Sequence, residues 1–226
     1  MSKKLFAACL VIAAFAVVPS LASANPILTQ PTGTAMGTGV GITATNVGET
    51  LLETPTGTLR CTTAILTGTV TSNTTATGAK GEITDAKFGG TGGLVAGADE
   101  PECTGSNFFT PNTTITPKSS LPWCLEAPAA ADTFTLKGGK CGSQKEITFA
   151  LDVTGIANPC TYSRAATING TIVTHGAGAN ENTMAVTNVQ FLREAGVSEI
   201  CPSEGKLTMR FSLKTTTGSN PIFLSS

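Results

Sequence analysis

Lys206-Leu207-Thr208-Met209-Arg210-Phe211-Ser212-Leu213-Lys214 alternates without a break. Leu207, Met209, Phe211 and Leu213 fall on one face, and the lysines, Thr208, Arg210 and Ser212 on the other. A period of two over nine residues is the signature of a strand with one buried face. Glu146 to Val153 repeats the pattern, with Ile147, Phe149, Leu151 and Val153 opposite Glu146, Thr148, Ala150 and Asp152. A shorter strand places Phe134 and Leu136 between Thr133, Thr135 and Lys137. Glycine-rich turns separate such segments, at 89–93, 137–140 and 176–180. No segment of a dozen residues carries a helical period. About ten short strands at this spacing indicate an all-β fold, a disulfide-stapled β-sandwich of Ig-like or jelly-roll-like type or a related barrel.

Two regions of the chain read alike. One opens at Cys61-Thr62, continues through Leu66-Thr67-Gly68-Thr69-Val70 and Ile83-Thr84-Asp85-Ala86-Lys87-Phe88, and closes at Cys103. The other opens at Cys160-Thr161, continues through Ile168-Asn169-Gly170-Thr171-Ile172 and Val186-Thr187-Asn188-Val189-Gln190-Phe191, and closes at Cys201. Leu66, Gly68 and Val70 share the parity of Ile168, Gly170 and Ile172, and Ala86 and Phe88 that of Val189 and Phe191. A slip of one residue would reverse every face, so matched parity weighs more than matched composition. The expectation is a duplicated unit, about 57–117 and 146–214, within one domain spanning 40–226. Residues 25–39, rich in Pro, Thr and Gly, read as an extended N-terminal arm or an edge strand.

The N-terminus reads as a secretion signal over residues 1–24. Lys3 and Lys4 form a basic start, Leu5 to Val18 an apolar stretch, and Ala22-Ser23-Ala24 a small-x-small cleavage site. Cys9 lies within the apolar stretch and leaves with it. Cleavage takes the formal charge from −1 to −3 through loss of the two lysines. Such a surface offers no basic field for nucleic acid or anionic lipid. Charged residues are only 13% and Thr roughly a sixth of the chain, a composition suited to exposed β surface. The expected location is secreted or cell-surface, without membrane insertion after cleavage.

Six cysteines remain, and six allow fifteen pairings. The duplication narrows them: Cys61 with Cys103 and Cys160 with Cys201 become equivalent, leaving Cys124 with Cys141. A metal site would need closely spaced cysteine pairs, which are absent. Thr58-Leu59-Arg60-Cys61, Leu121-Pro122-Trp123-Cys124 and Cys201-Pro202-Ser203-Glu204-Gly205 resemble segments of secreted all-β proteins from actinobacteria, a family without a known activity. The resemblance covers most of the mature chain. It implies export and a β fold and transfers no activity and no site residues.

Signals for chemistry are sparse. His175 is the only histidine, at a strand end before Gly176, with no G-x-S-x-G elbow or free cysteine to complete a triad. Asp99, Glu100 and Glu102 cluster before Cys103 and are weak calcium candidates through their carboxylate oxygens. Adjacent carboxylates in a Pro-containing loop are more often a solvated turn. The single Trp123 and Tyr162 suit packing against a disulfide better than a carbohydrate-stacking platform, which uses several aromatics. Phe108-Phe109 reads as an exposed apolar contact or a plug at one end of the sandwich, and Thr-x-Thr runs as ordinary solvent-facing strand. No catalytic residue, metal or cofactor is assigned. The expectation is a non-enzymatic exported module with a binding or structural role, its partner an unknown extracellular protein or glycan engaged through end loops or by strand addition. The alternatives are a subunit of an extracellular polymer in which 25–39 donates a strand to a neighbouring copy, and a hydrolase using His175 or the acidic loop.

Overall fold

The computed structural model describes residues 27–89, 102–109, 113–117, 120–128, 132–143, 145–165, 167–173 and 182–225. All regular structure in them is strand: β1 (Ile27–Thr29), β2 (Gly41–Asn46), β3 (Thr50–Thr54), β4 (Gly57–Cys61), β5 (Thr63–Thr74), β6 (Gly78–Gly89), β7 (Glu102–Gly105) and β8 (Thr113–Pro117). These are followed by β9 (Trp123–Ala127), β10 (Thr133–Gly138), β11 (Ile147–Val153), β12 (Cys160–Arg164), β13 (Ile168–Val173), β14 (Thr183–Arg193), β15 (Glu204–Thr215) and β16 (Phe223–Ser225). The protein is all-β and stapled by three disulfides.

Fourteen strands, all but β1 and β16, join in one closed antiparallel sheet in the order β10-β13-β14-β12-β11-β8-β7-β4-β3-β15-β2-β5-β6-β9. The β14–β15 hairpin pairs across this ring. It therefore belongs to two smaller circuits, one through β12, β11, β8, β7, β4 and β3, the other through β13, β10, β9, β6, β5 and β2. Its two strands change outer partner along their length. β15 pairs with β3 at Lys206–Thr208 and with β2 at Phe211–Thr215. β14 pairs with β13 at Thr183–Ala185 and with β12 at Leu192 and Arg193.

The change of partner coincides with a bulge between Val186 and Val189. Asn188 adopts φ of 52°, and its N–H donates to Thr208 Oγ1 at 3.0 Å. A bulge adds one residue on one strand and bends it. Here it also brings Val186 and Val189 onto the same buried face although they differ in parity. β6 has a register shift at the corresponding place, and Ile83 and Ala86 are both buried. The hairpins correspond in register too. Thr69 faces Glu82 and Val70 faces Gly81 in β5–β6, as Thr171 faces Ala185 and Ile172 faces Met184 in β13–β14.

The alternating segments bury the faces their pattern assigns. Met209, Phe211 and Leu213 are at 5% exposure, and Ile147, Phe149, Leu151 and Val153 between 0 and 6%. Ala150 and Ser212, on the opposite parity, are also buried, and Leu207 is only partly buried. Gly170 is required by a close approach: a Cβ there would overlap the Phe134 ring and lie 2.7 Å from the Ala185 carbonyl oxygen. Phe134 covers its cross-strand partner Gly170, so the aromatic ring takes the space a side chain would fill.

Within 25–39, residues 27–36 dock on the closed sheet. β1 pairs with β16, and Leu28 and Met36 are at 7% and 3% exposure. The Asn73 carboxamide clamps them: Oδ1 accepts from Leu28 N–H at 2.8 Å, and Nδ2 donates to the carbonyls of Leu28 at 2.8 Å and Met36 at 2.9 Å.

Candidate binding surface

Several residues singled out in the sequence fall outside the described structure: the leader 1–24, Asp99, Glu100 and His175. Glu102 begins β7, where its backbone faces Thr114. Trp123 and Tyr162 are both interior, at 5% and 0% exposure. Trp123 Nε1 donates to Ser120 Oγ at 3.0 Å. That hydroxyl donates to Thr148 O at 3.0 Å and accepts from Thr148 N at 3.1 Å. Tyr162 donates its hydroxyl to Pro202 O at 3.0 Å and stacks on Phe149. Burial pushes the Tyr162 phenol up to about 12, partly offset by the positive charge of Arg193. Neither ring is exposed as a stacking platform for a sugar. Phe109 is buried against the β3–β4 and β7 glycines Gly57 and Gly105, with Phe108 edge-on to it.

Two cavities of about 30 Å³ lie between the buried faces, one bordered by Leu52, Trp123, Phe149 and Phe191, the other by Leu66, Phe134, Met184 and Phe211. Each holds about one water-sized sphere and has no polar lining to stabilise one. Ligand cavities are roughly ten times larger.

A cleft of about 320 Å³ opens instead on the surface, bordered by Glu53, Thr54, Pro55, Glu204 and Lys206. The sheet puts these together. Lys206 of β15 faces Glu53 of β3 on one side and Gln190 of β14 on the other. Glu204 hydrogen-bonds the Gln190 amide. The β3–β4 turn forms the rim, where Thr54 Oγ1 donates to Gly57 O at 2.8 Å.

Next to the cleft lies the β14–β15 connection. Leu192 faces Glu204 across the hairpin and is 56% exposed, and Ile200 is 69% exposed. This connection is tied down at several points. Cys201 is bonded to Cys160, Tyr162 holds Pro202, and Arg193 Nη1 donates to Ser198 O at 3.2 Å and Cys201 O at 2.7 Å. The connection is thus a fixed platform that presents Ile200, with Leu192 opposite Glu204 at its hairpin end. Exposed apolar groups with a polar rim suit macromolecular contact. Neither the sequence periodicity nor the motifs pointed here, because the cleft needs β3 and β15, about 150 residues apart in the chain, to pair.

The three bridges are Cys61–Cys103, Cys124–Cys141 and Cys160–Cys201, with Cα separations of 4.6, 4.8 and 5.6 Å. They join the cysteines that the framing pairs. Among the described residues, donor atoms of Cys124, Glu126 and Cys141 lie within 4.8 Å of one another. With the bridge closed, the sulfurs bond each other and offer no thiolate to a metal. No protein-family model, curated protein or solved structure matches the chain.

Proposed function

We propose that this is an exported, non-enzymatic β protein with a binding or structural role, engaging its partner through the β14–β15 platform and the adjoining cleft. Ile200, 69% exposed on a loop fixed by the Cys160–Cys201 bridge, is the observation that carries the reading. Ordering an exposed loop costs affinity, and a loop already ordered avoids that cost. Three disulfides suit an oxidising, extracellular compartment. No helix among the described residues is long and apolar enough to cross a membrane. The leader reading of residues 1–24 completes the proposal and expects the mature chain to start at Asn25. The shared register and bulge position of the β5–β6 and β13–β14 hairpins support descent of the two Cys-framed regions from one unit.

The test is the native mass of the processed protein, recovered without reductant from medium and cell surface, for wild type and the double variant Leu192→Asp/Ile200→Asp. The reading expects wild type in a complex heavier than the chain, and the variant as a free monomer with unchanged melting temperature. Equal masses would sink it.

The polymer reading has one observation in its favour: β1 and β16 stand outside the closed sheet. Strand addition would use their edges or replace β1 with that of another copy. Leu28 lies directly opposite Leu224, so Leu28→Cys/Leu224→Cys locks β1 within its own chain. Assembly that persists in the locked protein would remove strand exchange.

A further inference from the structure

We infer that the Cys124–Cys141 bridge opens to external thiols and that the reduced pair, with Glu126, binds a thiophilic divalent cation such as Zn²⁺. The three bridges differ in access. Cys61, Cys103, Cys124, Cys160 and Cys201 are all at 0–1% exposure. Cys141 is half-buried, in the turn that follows β10 between exposed Lys140 and Gly142. It is the cysteine of the three bridges that an attacking thiolate reaches without disturbing the core. Exchange rate depends directly on that access.

The surroundings suit the separated thiolates. Cys141 N–H donates to Glu82 Oε1 at 2.9 Å, and the Thr71 hydroxyl points at Cys141 Sγ at 3.9 Å. Lys137 and Glu82 are the cross-strand neighbours of Cys124 on either side. Lys80 and Lys137 approach the Glu126 carboxylate at 2.9 and 3.8 Å. Two ammonium groups and the two carboxylates of Glu82 and Glu126 thus surround the site, a balanced charge to which a bound dication adds the positive neighbour that favours thiolate over thiol.

The redox step balances as two exchanges. One external thiolate attacks Cys141 Sγ, the Sγ–Sγ bond breaks, and Cys124 leaves as a thiolate. A second external thiolate attacks the external sulfur of the mixed disulfide and releases the Cys141 thiolate. Two electrons pass from two small-molecule thiols to the bridge, and they leave as their disulfide. The reduced pair and Glu126 then supply two sulfurs and one oxygen, donors that lie within 4.8 Å of each other before any relaxation. Tetrahedral Zn²⁺, with Zn–S about 2.3 Å and Zn–O about 2.0 Å, needs donors about 3.5–3.8 Å apart. The two sulfurs must separate, and the Glu126 carboxylate must close in by about 1 Å from its ion pairs with Lys80 and Lys137. Water or Glu82 completes the coordination.

The experiment starts from folded, oxidised protein, so no variant has to refold. Graded dithiothreitol without denaturant is followed by alkylation and peptide mapping. Cys124 and Cys141 should label first, with the other four cysteines unlabelled. Zn²⁺ added before alkylation should protect both thiols, and native mass spectrometry should show one zinc on the reduced protein and none on the oxidised form. Glu126→Gln, opened the same way, should bind zinc at least ten-fold more weakly. The inference is overturned if another bridge opens first or together with this one. It is equally overturned if the opened wild type takes up no zinc at micromolar concentration, or if Glu126→Gln binds with unchanged affinity.

Discussion

Tyr162→Phe should destabilise the protein at neutral pH and lose part of that penalty in alkali. The phenol is fully buried, and its hydroxyl donates to Pro202 O at 3.0 Å. Removing it leaves a buried carbonyl without that donor, a cost of about 1–2 kcal/mol. Burial raises the phenol from its ordinary 10 to about 12. The sign follows from proton binding. Between these values the unfolded chain releases the phenolic proton while the folded protein keeps it, so wild-type stability falls as pH rises. The contribution is complete below pH 10 and lost as pH climbs towards 12. At one unit of pH above 10 the loss is about 1.4 kcal/mol. The variant has no phenolic proton to lose, so the gap between the proteins should narrow by about that amount between pH 9 and pH 11. Urea unfolding of both oxidised proteins, at constant ionic strength, measures the gap directly. Lysines titrate in both and cancel in the difference. A gap constant across this range would refute the claim that the hydroxyl is held neutral by burial.

Three further outcomes are expected. Replacing Cys61 and Cys103 by Ser should cost about 4 kcal/mol and replacing Cys124 and Cys141 about 3 kcal/mol in loop entropy, read from urea midpoints; the reverse order would argue that strain rather than loop length sets the balance. Gly170→Val should destabilise by about 1–3 kcal/mol through overlap with Phe134 and the Ala185 carbonyl, measured by thermal melting, and Phe134→Ala in the same chain should recover part of the loss. Asn73→Ala removes three hydrogen bonds to β1 and Met36, so limited proteolysis should cut residues 27–36 at least ten-fold faster while the rest of the chain stays resistant.

The alternation in 146–153 and 206–214 was sufficient to fix strand and buried face, because a side-chain period of two has no other regular solution. The parity of the Cys-framed regions also led to the three bonded pairs, since pairing equivalent cysteines left only one combination for the rest. Parity failed at Val186 and Val189. Both are buried because one residue of β14 is bulged out, and the bulge depends on Thr208 of another strand accepting from Asn188. Closure of fourteen strands into one sheet was likewise beyond the pattern. Alternation states which side of a strand is buried and is silent on which strand lies beside it. The same holds for the surface: Glu53, Glu204 and Lys206 are ordinary strand residues until β3 and β15 pair, and Ile200 becomes a fixed apolar contact only once Cys201, Pro202 and Arg193 tie its loop down. The sequence by itself determined the all-β class, the clearest strands and the cysteine pairs, which depend on local periodicity and cysteine order, but pointed to about ten strands where the described residues form sixteen. The tertiary structure decided the closed sheet, the cleft and the accessibility of the Cys124–Cys141 bridge, which depend on pairings between residues far apart in the chain.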